Sequence, residues 1–416
     1  MSVGRKLSFF ALIIGALLSG PLWAAADEEM REQSSWRERD TLTAGWFGGG
    51  ERLAAQGFTM SLGLTHIFQK NVCGGLDTSG QQNYSGSYDL EIEADLEKLL
   101  GIDGASLYVL TEGSWNKGID ESAVGSLLGV NADAGGNRTA DVTELRYEQW
   151  FSEGRVGVRA GKLNLTGGFE CRGCPVTFDG NTFANDETGQ FLNDSLVNNP
   201  AIPFPDNGLG VILYTQPTEW WYHGLGVADA EADARESGFN TTFDGDGDFF
   251  YIYETGITPQ IASERGALQG AYRVGVWLDN RPKEHLAGDD TTHGDAGFYL
   301  SLDQMVWKEK AGVFARFGHA DEDVNEITNF WSVGGQYQGL FPGRDGDVLG
   351  IGCAQACLSD DAGFSASHER VVEVYYSAQV TGWMNLTPSV QHIHNPGGDE
   401  DVDDAVVVGL RMQMAI

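Results

Sequence analysis

The last residues of the chain, DDAVVVGLRMQMAI, alternate to the final position. Val406, Val408, Leu410, Met412, Met414 and Ile416 take one parity; Gly409, Arg411 and Gln413 take the other. Successive side chains of a strand point to opposite faces, so this segment predicts a strand with one apolar and one polar side. The pattern recurs in YDLEIEADL, GRVGVRAG, AYRVGVWLD, GVFARFG and ERVVEVYYSAQV. About sixteen such segments run from Phe58 to Ile416, most of them roughly 9 to 12 residues long and separated by Gly, Asp and Asn turns.

The opening stretch has another character. Arg5 and Lys6 precede an apolar run from Leu7 to Leu18, then Gly20-Pro21 and Ala24-Ala25-Ala26. This order predicts a cleaved secretory signal over residues 1–26. Beyond it no stretch approaches the roughly 20 apolar residues of a membrane helix, so entry into a membrane requires a closed barrel. Alternation alone fits a soluble sandwich equally well. The polar face separates the two: it is built from Arg, Glu, Asp, Gly, Gln and Ser, as a water-filled lumen requires. Aromatics near strand ends, among them Trp220-Trp221, Phe249-Phe250, Trp331 and Tyr375-Tyr376, suit interfacial girdles. The expectation is an all-β fold, a transmembrane antiparallel β-barrel of about 16 strands over residues 58–416 in a bacterial outer membrane. A short helical or irregular periplasmic segment, 27–57, precedes it.

Composition narrows the function. With 60 acidic against 26 basic residues the formal charge is −34, and loss of the signal makes the remainder more acidic still. Such a field excludes nucleic acid as a partner. Many of the acids sit in DGDGD, HADEDVNE and GGDEDVDD, which read as solvated turns. DGDGD starts like a calcium loop, but Phe249 stands where Gly is needed and no Glu follows in place. Parity sends Arg146, Arg155, Arg159, Arg273, Arg316 and Arg411 to the lumen side, with Glu144, Glu148, Glu373 and Gln391. Guanidinium forks suit sugar hydroxyls, and a polar constriction replaces the hydration of a sugar without holding it tightly. The same groups equally serve as cross-strand pairs that hold the wall. Trp115, Trp150 and Trp277 are assigned to the inner parity, for stacking on sugar faces or for packing.

The insertion from Leu163 to Gly208 exceeds a hairpin and contains NNPAIPFPDNG, which makes it the candidate constriction loop. Phe178, Asp179, Asn181, Asn185, Asn193 and Asn198 are its candidate solute contacts; an external loop on the rim is the alternative. Cys171 and Cys174 are compatible with a local disulfide in an oxidising compartment. Cys353 and Cys357, roughly 13 Å apart in an extended strand at about 3.3 Å per residue, are too far apart to bridge. Cys73 is left over. No metal or other cofactor is expected, and no G-x-S-x-G or H-E-x-x-H motif supports an enzyme.

Four blocks carry a family resemblance. LTAGWFGGGERLAAQGFTMSLGLTHIFQKNVCGG, LEIEADLEKLLGIDGASLYV, AGKLNLTGGFE with FLNDSLVNNPAIPFPDNGLGV, and WMNLTPSVQHIHNPGGDEDVDDAVVVGLRMQ resemble, in order, the blocks of the carbohydrate-selective porins of the OprB family. Two departures stand out. Ala44-Gly45 replaces the Gly-Asp usual before the first Trp, and the chain finishes on Ile416 where an aromatic residue is common. The resemblance implies a 16-stranded barrel that passes small neutral sugars by diffusion without catalysis. Its partners would be outer-membrane lipid, lipopolysaccharide and the barrel assembly machinery, with the chain a monomer or homotrimer. Net acidity and inner arginines oppose each other, so weak ion selectivity is expected. A general porin without a sugar site and a plugged structural or adhesive barrel remain the alternatives.

Overall fold

The computed structural model describes residues 36–80, 82–170, 191–243, 247–288 and 290–416. The expected signal, Cys171, Cys174, Phe178, Asp179, Asn181, Asn185 and the first three residues of DGDGD lie outside these residues. The strands are β1 (Phe58–Cys73), β2 (Gln82–Asp95), β3 (Ala105–Trp115), β4 (Arg138–Phe151), β5 (Val156–Leu163) and β6 (Gly208–Thr218). Next come β7 (Trp221–Asp229), β8 (Phe249–Ile257), β9 (Gln260–Ser263), β10 (Gly266–Glu284), β11 (Thr291–Trp307) and β12 (Ala311–His319). The last are β13 (Ile327–Gln338), β14 (Val348–Leu358), β15 (His368–Thr381), β16 (Met384–His394) and β17 (Ala405–Ala415).

All pairings are antiparallel between sequence neighbours, and β1 closes the ring on β17 from Gly63↔Ala415 to Cys73↔Val406. β10 pairs with β8 through Tyr272–Asp279 and with the short β9 through Gly266–Gln269. β8 and β9 are therefore one stave interrupted at Pro259, which has no N–H to give the ladder. The seventeen segments form a closed 16-strand barrel. Among the described residues closure pairs both edges of every stave apart from the four-residue β9 extension, the condition for placing a sheet in lipid.

The alternation explains the two faces. Val274, Val276, Leu300, Val333, Ile351, Val374, Val390 and Leu410 are exposed on the outside, where lipid would cover them. Their in-between neighbours, among them Arg273, Ser332, Glu373 and Gln391, are buried toward the interior. One aromatic departs from its assignment. Trp115 shares the parity of exposed Leu107, lies opposite Gly86, and packs with His66 and Tyr84 on the outside. Trp150 and Trp277 do face inward, Trp277 buried and stacked on Phe250.

Short turns at 152–155, 219–220 and 382–383 occupy one end, and loops 116–137 and 164–207 leave from the other. In outer-membrane barrels the short turns are periplasmic. Residues 36–57 sit at the short-turn end, where Trp383 Nε1 donates to Trp36 O at 2.9 Å and Leu42 N donates to Ala415 O at 2.8 Å. Cys73, Cys353 and Cys357 are free thiols.

Candidate functional site in the barrel lumen

The inner wall has two kinds of surface. From β12 round to β17 it is lined by apolar side chains, Phe314, Phe330, Ala354, Val371, Tyr375, Ile393 and Val407. Against them pack Ile119, Val124, Leu128 and Val130 of loop 116–137, and Phe191, Leu196 and Val197 of loop 164–207. Glycine makes room for the second loop. A Cβ on Gly352 would come within 2.9 Å of the Leu196 and Phe191 side chains, and one on Gly318 within 2.6 Å of Asn199. The two loops also bond to each other: Ala132 N donates to Leu192 O at 2.9 Å and Asp194 N to Gly129 O at 3.1 Å.

Inward carboxylates of the wall hold the loop backbones. Glu373 accepts from Leu192 N at 3.0 Å and Asn193 N at 2.9 Å. Glu369 accepts from Leu127 N, Leu128 N and Gly397 N, and from Ser126 Oγ. Glu254 accepts from Glu170 N at 2.6 Å and from the hydroxyls of Tyr222 and Tyr299 at 2.7 Å. Amides complete the dock, with Gln69 Nε2 and Gln391 Nε2 both donating to Val130 O, at 2.7 and 2.9 Å. Asn193 Nδ2 in turn donates to Gln391 Oε1 at 3.2 Å. A buried backbone N–H left without an acceptor is costly, so these wall groups fix where each loop settles.

The arginines of this wall belong to the same dock. Arg316 Nη1 donates to Val197 O at 2.9 Å, and its Nε lies 4.0 Å from Glu170. Arg273 donates to Asp303 at 2.7 Å and to Ser301 at 2.9 Å, with its side chain fully covered. Arg411 is also fully buried. The expected lumen residues Arg273, Arg316, Glu373, Gln391 and Arg411 thus face inward but lie beneath packed chain. Arg155 does not sit on a strand face: it is exposed in the turn 152–155, because β5 begins one residue later.

The wall formed by β2–β5 differs. Glu144, Arg146, Glu148 and Arg159 line up across β4 and β5, where Glu148 faces Arg159 in register. Arg146 Nη1 reaches Glu144 at 2.6 Å, and Arg159 Nε reaches Glu148 at 2.5 Å, with 14–22% of these side chains exposed. Aromatic rings flank them. The Arg146 guanidinium lies 3.8 Å from the Tyr108 ring centroid, and Arg159 lies 5.4 Å from that of Tyr214. Tyr214 stacks on Trp150 at 6.1 Å and 9°, and Trp150 Nε1 donates to Glu148 at 2.5 Å. Fixed donors, acceptors and flat apolar faces side by side are what a sugar offers contacts to, and within β4 and β5 the two arginines and two glutamates offset each other.

Loop carboxylates beside the dock feel burial. Asp120 accepts from Ser126 N and Val130 N, yet burial raises it above the usual carboxylate range. Burial pushes Asp133 up to about 6, with Glu112 adding to the rise and Arg411 opposing it. Among the described residues there is no cluster of His, Cys, Asp and Glu arranged to hold a metal. Docking by Glu254, Glu369 and Gln69 escaped the sequence reading; their inward parity was legible, their loop partners were not.

Comparison with known proteins agrees with this architecture. The chain is 24% identical to Porin B of Pseudomonas aeruginosa over 96% of its own length and 95% of that protein. It is 22% identical to the putative porin QuiX of Acinetobacter baylyi, over 98% and 99% of the two chains. Among solved structures, the high-pH structure of Pseudomonas putida OprB shares its fold with a TM-score of 0.80 at 20% identity, covering 92% of this chain and all of that one. The family described as carbohydrate-selective porin, OprB family, matches residues 80–415. The chain therefore belongs to the OprB family of carbohydrate-selective porins and is a porin of the bacterial outer membrane.

Proposed function

We propose that this porin passes small neutral sugars by diffusion along the β3–β5 strip of Tyr108, Arg146, Glu148, Trp150 and Arg159, with no chemical step. The observation that carries the reading is the partly exposed Arg159–Glu148 ion pair with the half-buried Trp150 ring hydrogen-bonded to Glu148 beside it. Ring faces take the apolar side of a sugar and the ion pair takes its hydroxyls. Loop 116–137 and the described parts of loop 164–207 pack inside the barrel, narrow the lumen and act as the constriction; residues 36–57 lie on the periplasmic side.

Single-channel conductance of the refolded mature protein, with and without neutral mono- and disaccharides, tests this. Saturable reduction by sugar is the expected result, weakened when Trp150 and Arg159 are replaced by Ala and Gln. Openings indifferent to every sugar would leave a general porin, and well-folded protein with no openings a plugged barrel.

A further inference from the structure

The positive charges of the lumen are spent on architecture. On β10–β17 Arg273, Arg316 and Arg411 are buried, while Arg281 and Lys283 are ion-paired with Asp279 and Asp295. On the β2–β5 wall Arg146 and Arg159 are each within ion-pair distance of Glu144 or Glu148. Carboxylates on that wall exceed them. Asp89 stands directly opposite Glu112, and Glu91 and Glu93 continue down the same face of β2, both exposed. Among the described residues Glu91, Glu93 and Glu112 have no ion-pair partner of opposite charge. Glu93 faces Tyr108 in register and Glu91 follows two residues along the same face, so they share the face of the proposed sugar strip.

Glu91, Glu93 and Glu112, set on one inward face, produce a negative field. At physiological salt such a field extends about 8 Å, enough to act across a narrowed, low-dielectric passage.

We propose that Glu91, Glu93 and Glu112 set the charge selectivity of the passage, so that cations and cationic solutes such as protonated amino sugars pass ahead of neutral sugars, and sugar acids are excluded. The proposal rests on the reading that the β2–β5 side borders the solute path. It concerns a field, and no ion is bound in it.

The test is the reversal potential of the mature protein in a planar bilayer across a KCl gradient. Potassium is expected to be favoured over chloride by about tenfold at low salt, declining as salt is raised. The variant E91Q/E93Q/E112Q, checked for folding by heat-modifiable migration and retained single-channel openings, is expected to bring the ratio near one. A wild-type channel that is unselective or favours chloride overturns the proposal, as does a triple variant with an unchanged ratio. Proteoliposome flux separates this from the sugar reading, with glucosamine expected ahead of glucose and glucose ahead of glucuronate. Equal flux of all three ends the charge proposal and leaves the sugar path standing. Potassium preference that the triple variant abolishes, with no sugar flux at all, upholds the charge proposal and ends the sugar path.

Discussion

Two walls of one barrel, built from the same alternation, put their inward charges to opposite uses. From β10 to β17 the inward groups are sealed under two loops, and Glu369 and Glu373 spend their acceptors on backbone N–H groups. On β2–β5 they stay partly in water and pair with each other across the strands. A charged residue of inner parity is therefore a structural pin on one side and, in the proposed function, a solute contact on the other. Substitutions that look alike in sequence should separate sharply in effect.

The largest separation is expected between Arg411 and Arg159. Arg411→Ala removes a fully buried guanidinium beside buried Glu373 and loop residue Asp133, and should cost about 3–5 kcal/mol in detergent unfolding. Arg159→Gln, on a side chain 22% exposed, should cost less than about 1 kcal/mol while weakening sugar block. Comparable losses from both would erase the distinction between the walls.

Next in size is Glu373→Ala. It strands the Leu192 and Asn193 N–H groups, a penalty of about 1–3 kcal/mol each when they remain buried. The loop should loosen, seen as faster amide exchange over 191–197 and noisier, larger conductance. Unchanged exchange there would mean that apolar packing alone holds the loop.

Gly352→Val adds bulk where a Cβ already meets Leu196 and Phe191 at 2.9 Å, an overpacking cost of about 1–3 kcal/mol. Its effect should again appear in the 191–197 exchange, without loss of the barrel's heat-modifiable band. The same substitution at Gly154, where nothing lies within 4 Å of the Cβ position, supplies no packing clash, although its positive φ disfavours a side chain.

The smallest expected effect is a pH dependence. Asp133 is held at about 6, above its ordinary value, so its ionised form opposes the docked state. Lowering the pH from 7.5 toward 5 should protonate it and tighten loop 116–137, and the gain should be complete below the ordinary carboxylate value. Asp133→Asn should flatten this slope in thermal unfolding followed by intrinsic fluorescence. An equal slope in the variant would assign it to other groups.

Much of the fold was legible because a barrel strand repeats one physical rule. The period of two marked strands such as β17 and β15, and the first strand begins at Phe58 as expected. Where an element boundary cut the pattern the reading slipped. Arg155 belongs to a turn, and Trp115 follows Leu107 to the outside. The placement of the inward charges was half legible. Arg146, Glu148 and Arg159 sit on the partly exposed wall, while Arg273, Arg316, Glu373, Gln391 and Arg411 were found on the inner face beneath the loops.

What the sequence determined by itself is which face each side chain takes, since alternation follows from strand geometry within one segment. It also determined the closed antiparallel ring, since consecutive strands of this length and pattern have no other way to satisfy their backbone in lipid. Only the tertiary structure decided what covers each inward face. That depends on contacts between residues far apart in the chain, such as Glu373 with Leu192 or Gln391 with Val130, and no local period encodes them.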